Sequence, residues 1–268
     1  MDMEVRLRRW VRVGKEVAEY ASRHFATELQ QSQDYIAGNY KDALVHTFLL
    51  IDTLLRSEPG KKELAEITKE FNASSSKQPS MFAEEEGEGA DMKGCTANVI
   101  LVKGNTLYVA NAGDSRSVAI LSGGKAQELS KDHKPDNEIE LQRITKAGGN
   151  VFNGRVQGNL NLSRALGDLQ YKSNKDIKPE EQMICAYPDV VIREITPDLE
   201  YIIMGCDGVY DAKSSQEIAD LVLKKIATAT NLSSVAESLL DDLLSPNCAL
   251  TNGAGCDNMT CLLIKLKH

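Results

Sequence analysis

Histidine is scarce in this chain of 268 residues, which contains four: His24, His46, His133 and His268. The six cysteines form no CxxC pair, and several lie within apolar runs that are typical of β-strands. Closely spaced Cys and His ligands are therefore missing, which argues against a zinc site. Any metal is expected to be a hard cation held by carboxylate oxygens. The cysteines also favour reduced core thiols over a disulfide framework, and hence an intracellular location, cytoplasmic or nuclear.

Long apolar runs are absent as well. No stretch is long enough to span a bilayer, and the opening MDMEVRLRRWVRV lacks the continuous apolar region of a signal peptide. Acidic residues outnumber basic ones by 39 to 31, so the protein's field repels polyanions. We therefore expect no membrane and no nucleic acid among its partners. The length of 268 residues suits one domain, spanning residues 1–268, and we expect a monomer.

The order of the periodic segments predicts an α+β fold. Alternation predicts a short strand between Val5 and Val13, and helical spacing predicts amphipathic helices at 15–29 and 41–55. Residues 72–93 lose periodicity and gain Ser, Gly and Glu, which predicts a mobile acidic loop rather than a ligand cluster. From Cys95 onward, apolar runs alternate with turns such as Gly104-Asn105, as in antiparallel sheet. Further helices are expected at 137–147, 215–228 and 233–244, and further strands at 190–195, 201–206 and 259–267.

Two aspartates follow one of these predicted strands. The stretch YIIMGCDGVYD predicts a buried strand that ends at Asp207, a turn at Gly208, and Asp211 one helical turn further on. Aspartate at a strand end often caps the next helix, and for this stretch taken alone that structural role is favoured.

Two other segments show the same arrangement. Asp114 follows an apolar strand in NAGDSR, and Asp257 precedes the last strand in GAGCDNMTCLLI. Separate segments thus each present an aspartate beside a glycine at a strand terminus. Convergent carboxylates without histidine are what Mg²⁺ or Mn²⁺ sites need, because these cations prefer oxygen ligands and keep several waters.

Six motifs, in order along the chain, resemble those of the metal-dependent Ser/Thr protein phosphatases, the type 2C or PPM family. They are GCTA at 94–97, NAGDSR at 111–116, DHKP at 132–135, GNLNLSRALGD at 158–168, CDGVYD at 206–211 and GCDNMT at 255–260. The resemblance implies a four-layer sandwich of two antiparallel sheets flanked by helices. It also implies hydrolysis of phosphoserine and phosphothreonine by metal-activated water, in signalling, with a phosphoprotein as substrate.

The resemblance assigns roles to the four aspartates. Asp207 and Asp257 resemble the ligands of one metal of the family's Mg²⁺ or Mn²⁺ pair. Asp114 and Asp211, with Asp207, resemble its additional, weaker metal site. The segment after Asp168 would correspond to the flap that tunes substrate access.

The N-terminal motifs depart from the family pattern. By register, WVRVG at 10–14 stands where the family has a DGHGG loop, so residues 1–14 are divergent and strands are expected to be missing from the sandwich. Trp10 replaces the aspartate that bridges both metals, Val11 a glycine whose carbonyl is a ligand, and Arg12 the histidine proposed as general acid. The metal site is thus expected to be incomplete, with no catalytic residue intact beyond the metal ligands. Three hypotheses remain: an impaired phosphatase, a pseudophosphatase that binds a partner without turnover, or a truncated product that folds poorly.

Overall fold

The structure is a computed structural model that describes residues 15–74, 90–251 and 253–267. The predicted strand between Val5 and Val13, and with it the divergent segment 1–14, lies outside these residues. The α-helices within the described ranges are α1 (Lys15–Gln31), α2 (Gln33–Ile36), α3 (Tyr40–Arg56), α4 (Glu58–Ser74), α5 (Glu138–Lys146), α6 (Asp207–Tyr210), α7 (Ser215–Ile226) and α8 (Leu232–Leu243). The strands are β1 (Gly94–Cys95), β2 (Ala97–Lys103), β3 (Thr106–Ala112), β4 (Arg116–Leu121), β5 (Ala126–Glu128), β6 (Val151–Phe152), β7 (Arg155–Val156), β8 (Leu166–Gly167), β9 (Asp189–Glu194), β10 (Leu199–Gly205) and β11 (Cys261–Lys265).

The described chain forms two compact units. One, here called the sandwich unit, contains residues 98–132 and the described residues from 189 onward. The other, the helical unit, contains the described residues up to 97 together with 133–188. Helices and antiparallel sheets occur as the sequence predicts, so the α+β fold class is confirmed.

Two sheets build the sandwich unit. The first has the strand order β11-β10-β4-β5, and the second has the order β2-β3-β9. β10 pairs antiparallel with both β4 and β11, and β3 pairs antiparallel with β9. Tight turns make the local hairpins: Gly123 and Gly124, with φ of 82° and 85°, join β4 to β5. Such positive φ angles are readily adopted only by glycine.

Helices α7 and α8 cover one face of the four-stranded sheet. Their apolar stripes pack on β4, β10 and β11, where Val118, Ile203 and Leu263 meet Ile218 and Leu239 in one buried cluster. The predicted helices and strands in this region agree with the structure to within two residues at most ends. The cluster fixes the end of β10, which leads into the predicted aspartates.

A buried polar network links the two sheets. The Ser117 hydroxyl on β4 donates to the Asn98 side-chain oxygen on β2 at 2.6 Å, and Asn98 Nδ2 donates to Asn111 Oδ1 at 2.9 Å. The Ser130 hydroxyl accepts from the Ser117 N–H at 2.9 Å. Because buried polar groups are costly unless they are hydrogen-bonded, this network favours one register of the two sheets.

The helical unit is built around α1, α3 and α4. Phe25 on α1 and Phe48 on α3 are fully buried and meet edge to face, with ring centres 5.1 Å apart. The short strands β1 and β8 pair antiparallel beside these helices. Gly60, in the first turn of α4, lies so close to α3 that a Cβ there would be 2.0 Å from the Leu54 carbonyl oxygen. The close approach of α3 and α4 therefore needs glycine at this position.

A buried ion pair fixes α5 within the helical unit. Glu140 is 2% exposed, and it accepts hydrogen bonds from Arg164 Nε at 3.0 Å and from Arg143 Nη1 at 2.6 Å. The Ser163 hydroxyl donates to the same carboxylate at 2.8 Å. Burial acts to raise the Glu140 pKa, but the Arg164 hydrogen bonds and both guanidinium charges lower it to about 2. Glu140 is therefore ionised in the folded protein and holds 163–164 against α5.

The structure corrects two sequence-based expectations. Residues 72–74, predicted as the start of the acidic loop, belong to α4. Residues 90–92, close to the predicted end of that loop at residue 93, form a 3₁₀ turn. Residues 75–89 lie outside the described ranges. The prediction of six reduced cysteines is wrong for Cys248 and Cys256, which form a disulfide. The absence of a CxxC pair did not exclude a pair with wider spacing, because the loop between these residues brings their Cα atoms to 5.7 Å.

Within residues 15–74, 90–251 and 253–267, none of the helices combines the length and the apolar character needed to cross a bilayer.

Candidate metal centre

One turn of helix follows an inner strand of the four-stranded sheet. β10 ends at Gly205, and Cys206 precedes α6, whose first residue is Asp207. The Asp211 N–H donates to the Asp207 carbonyl at 2.8 Å. Residues four apart lie on the same side of a helix, so this turn places both carboxylates on one side of α6.

The segment that carries Asp257 lies directly beside α6. The Cys206 N–H donates to the Thr260 carbonyl, and the Thr260 N–H donates to Cys206 Sγ, both at 3.3 Å. Gly208 stands at the contact, where a Cβ would lie 2.8 Å from the Asn258 carbonyl oxygen. A side chain at position 208 would therefore push the two segments apart.

Asp207, Asp211 and Asp257 form a carboxylate cluster at this junction. Their ligand oxygens all lie within 4.8 Å of one another, with Asp211 exposed and the other two half-buried. Asp207 Oδ1 accepts the Gly208 N–H at 2.9 Å, and Asp257 Oδ1 accepts the Asn258 N–H at 2.8 Å, which orients both carboxylates. Three carboxylate oxygens at this spacing fit one hard divalent cation.

Asp114 is not one of the three clustered carboxylates. It is buried in the turn between β3 and β4, at 4% exposure, and among the described residues the three-carboxylate cluster does not include it. The turn is held by Asn111, whose Nδ2 donates to the carbonyls of Gly113 and Lys131, each at 3.0 Å. Of the four aspartates predicted from the sequence, three are thus brought together.

Arg116 and Tyr210 support α6, a role that sequence reasoning missed. Arg116 Nε and Nη2 donate to the two oxygens of Asp132 at 3.0 and 2.9 Å, which raises the Arg116 pKa. Its guanidinium carbon lies 4.8 Å from the centre of the Tyr210 ring, a cation–π contact. Tyr210 stands between Asp207 and Asp211 in the chain. Both residues belong to motifs that the sequence analysis identifies, Arg116 to NAGDSR and Asp132 to DHKP. Neither motif by itself indicates that the two residues pair.

Trp10, Val11 and Arg12, the positions predicted to replace the family's metal-bridging loop, lie outside the described residues.

The two sheets and the carboxylate cluster after β10 define the class of protein. It is an α+β sandwich with a candidate centre for a hard cation. A family model described as protein phosphatase 2C matches residues 9–251. "Probable protein phosphatase 2C 6" of Paramecium tetraurelia is 46% identical over 254 residues, which cover 95% of this chain and 80% of the relative. "Protein phosphatase 2C 1" of the same organism is 44% identical over 259 residues, with the same coverage of both chains. The chain therefore belongs to the protein phosphatase 2C family.

Solved structures agree with this fold. The crystal structure of a phosphatase from a pathogenic strain of Toxoplasma gondii matches with a TM-score of 0.66 and 24% sequence identity. The match covers 96% of this chain and 84% of that one. At this identity the likeness concerns the fold alone.

Proposed function

We propose that this protein is a metal-dependent protein phosphatase that hydrolyses phosphoserine and phosphothreonine. The observation that carries the proposal is the cluster of Asp207, Asp211 and Asp257, whose oxygens lie within 4.8 Å of one another. A bound Mg²⁺ or Mn²⁺ supplies Lewis-acid activation of the phosphoryl group and of water. Family membership adds support, because phosphoprotein substrates are the substrates of that family.

In this proposal each aspartate has a defined task. Asp207 and Asp257 hold the principal cation, since their carboxylates are already oriented by backbone N–H groups. Asp211 joins from the other end of α6, and Asp114, with Asp207 and Asp211, serves an additional, weaker site. Asn111 positions the Asp114 turn through its two carbonyl contacts.

We further propose that turnover is reduced in this chain. Trp10 has no carboxylate to offer where the family bridges two cations, and Arg12 is a poor proton donor because its guanidinium does not lose its proton in proteins. These identities also favour a second candidate function, a binding module that recognises a phosphoprotein without hydrolysing it. The proposed location is intracellular, cytoplasmic or nuclear, and the proposed oligomeric state is a monomer.

Hydrolysis assays test the first candidate. The purified chain is assayed with 4-nitrophenyl phosphate and with a phosphothreonine peptide, in Mn²⁺ and in EDTA, beside the variants Asp207→Asn and Asp220→Asn. Asp220 is exposed on α7 and serves as the matched control. Loss of a metal ligand is expected to lower activity about a hundredfold or more, because changing even an outer-shell partner of a metal costs about 10–100-fold. The control should match the wild type.

The outcomes separate the two candidates. Mn²⁺-dependent turnover that Asp207→Asn removes supports the phosphatase. If the folded wild-type protein binds the phosphopeptide but does not hydrolyse it, the binding module is supported. Turnover that neither Asp207→Asn nor EDTA lowers would refute the role of the carboxylate cluster.

A further inference from the structure

The helical unit contains a cavity that the proposed function does not use. It has a volume of about 370 Å³ and lies where β1, the 158–162 segment and the 3₁₀ turn after Asp168 meet. Leu160, Leu162 and Tyr171 give it largely apolar walls, and Asn161 adds an amide. A volume of this size suits a small organic ligand, since ligand cavities are commonly apolar with a few placed polar groups.

One carboxyl group lines this cavity without a hydrogen bond. Asp168 is only 5% exposed, and its side-chain oxygens have no hydrogen-bond donor among the described residues. The local fold directs it there: Asp168 has a left-handed backbone with φ of 48°, and a Cβ on Gly94 would lie 2.1 Å from Asp168 Oδ2. The carboxyl oxygens face a largely apolar cavity rather than a protein donor, so a ligand that supplies a donor would find an acceptor in place.

The surrounding charges favour a cationic donor. Asp52 on α3 accepts the Gly167 N–H at 2.8 Å and an ammonium proton of Lys172. Lys172 also donates to the Ala165 carbonyl at 2.7 Å, so its ammonium is already engaged. Two carboxyl groups, those of Asp168 and Asp52, therefore lie near one ammonium group, that of Lys172.

The pKa values agree with this charge balance. Burial raises the pKa of Asp168 to about 7, with Lys172 acting to lower it and Asp52 to raise it. Burial likewise raises the pKa of the Cys95 thiol on β1, and burial, with the Asp168 charge, that of the Tyr171 phenol. Neither of these groups supplies a compensating positive charge. Arg155 lines the same cavity but is exposed, and its Nη1 donates to the Asn159 carbonyl at 2.7 Å.

We propose that this cavity binds a small organic amine, with an apolar body against Leu160, Leu162 and Tyr171 and an ammonium group that donates hydrogen bonds to Asp168. None of the three clustered aspartates lines this cavity. Its specificity follows from two features together: the walls select an apolar body, and the unpartnered carboxyl selects a donor with positive charge. Neutral molecules of the same shape would leave the ionised carboxylate without its counter-charge.

A pair of isosteric probes tests the proposal. Phenethylammonium and 2-phenylethanol are each titrated into the 268-residue chain, and backbone amide NMR shifts are followed. We expect saturable shifts at residues 92–96 and 159–171, and an affinity for the ammonium probe about tenfold or more above that for the alcohol, as hydrogen bonds to charged groups imply. The affinity should fall as the pH is lowered through about 7, because a protonated Asp168 no longer attracts the cation.

Variants sharpen the test. Asp168→Asn keeps the shape of the site and should abolish the preference for the ammonium probe, whereas Asp176→Asn, on the exposed segment that follows, should bind like the wild type. Equal affinities for the two probes, shifts elsewhere in the protein, or no saturable shifts would each overturn the proposal. If Asp168→Asn does not fold, the probe comparison and the pH dependence in the wild type still decide.

Discussion

At the scale of a single side chain, Asp168 combines deep burial with a strongly raised pKa. Its left-handed backbone turns the carboxyl toward Gly94, where the missing side chain leaves room for it. There the carboxyl loses water, and burial raises its pKa from 3.8 to about 7. A carboxyl group whose pKa differs between the folded and unfolded states makes the folding stability depend on pH.

The free energy of unfolding should depend on Asp168 in a pH-dependent way. The folded state keeps the Asp168 proton up to about pH 7, whereas the unfolded chain releases it near 3.8. Between these values the folded state binds more protons, so the contribution of Asp168 to stability falls as the pH rises. The shift corresponds to a ceiling of about 4 kcal/mol. Asp168→Asn cannot ionise and should therefore gain stability relative to the wild type as the pH increases.

Urea unfolding of both proteins at about pH 5 and about pH 8 measures this effect. The expected result is a stability difference between variant and wild type that grows toward the higher pH. A difference that is the same at both pH values would contradict the buried, raised-pKa state of Asp168.

Single residues also show what the sequence can and cannot predict. Asp207 and Asp211 could be placed together from the sequence, because their spacing of four residues after a strand is a local feature. The burial of Asp168 could not, since it depends on Gly94, which lies 74 positions earlier in the chain. The pairing of Arg116 with Asp132 and Tyr210 is likewise a product of strand pairing rather than of local sequence.

Helix α5 owes its position to Glu140. This carboxylate receives hydrogen bonds from two arginines and a hydroxyl, and all three donors belong to α5 itself or to residues 163–164. An ion pair of this kind contributes little net stability, but removing one partner leaves buried charge uncompensated. The element therefore depends strongly on one side chain.

Glu140→Gln should destabilise the protein by about 3 kcal/mol, because Arg164 and Arg143 would keep their charges without a carboxylate. Glu138→Gln, an exposed position on the same helix, should change stability by less than about 0.5 kcal/mol. Thermal and urea unfolding monitored by circular dichroism provide the comparison. Equal losses in the two variants would show that the ion pair does not hold α5.

The wild type should also lose stability toward acid, since the Glu140 pKa is depressed to about 2 and its protonation in the folded state removes the interaction.

Periodic elements were predicted well, and the exceptions have physical causes. Strands β2 to β5 and β9 to β11 and helices α7 and α8 have clear periodicity, so their positions follow from the sequence. The two-residue strands β6, β7 and β8 are too short to show a period and were not predicted. Helix α4 was not predicted. Its Pro59 and Gly60 are typical helix breakers, but proline is tolerated in a first turn, where the missing N–H has no helical partner in any case. The Cys248–Cys256 disulfide depends on how the 245–257 loop folds back, which no local pattern shows.

At the scale of the whole molecule, bound cation should stabilise the fold by mass action. A ligand that binds only the folded state adds about 2.7 kcal/mol at a hundred times its Kd. Mn²⁺ should therefore raise the Tm of the wild type by several degrees, and EDTA should reverse the shift. The Asp207→Asn variant should show little shift, and Asp220→Asn should behave like the wild type. A Tm shift of equal size in Asp207→Asn would place the stabilising cation elsewhere.

The order of segments along the chain has a consequence for synthesis. Each unit is assembled from stretches that alternate in sequence, so the ribosome delivers part of one before the other is complete. β4 and β5 emerge as a hairpin, but the strand that pairs with the other edge of β4 is β10, at 199–205. In the interval that edge is exposed to pairing with other chains. Asp207, Asp211 and Asp257 arrive with the last strands, so a nascent chain protects its own edge at about the same stage at which it first becomes able to hold a cation.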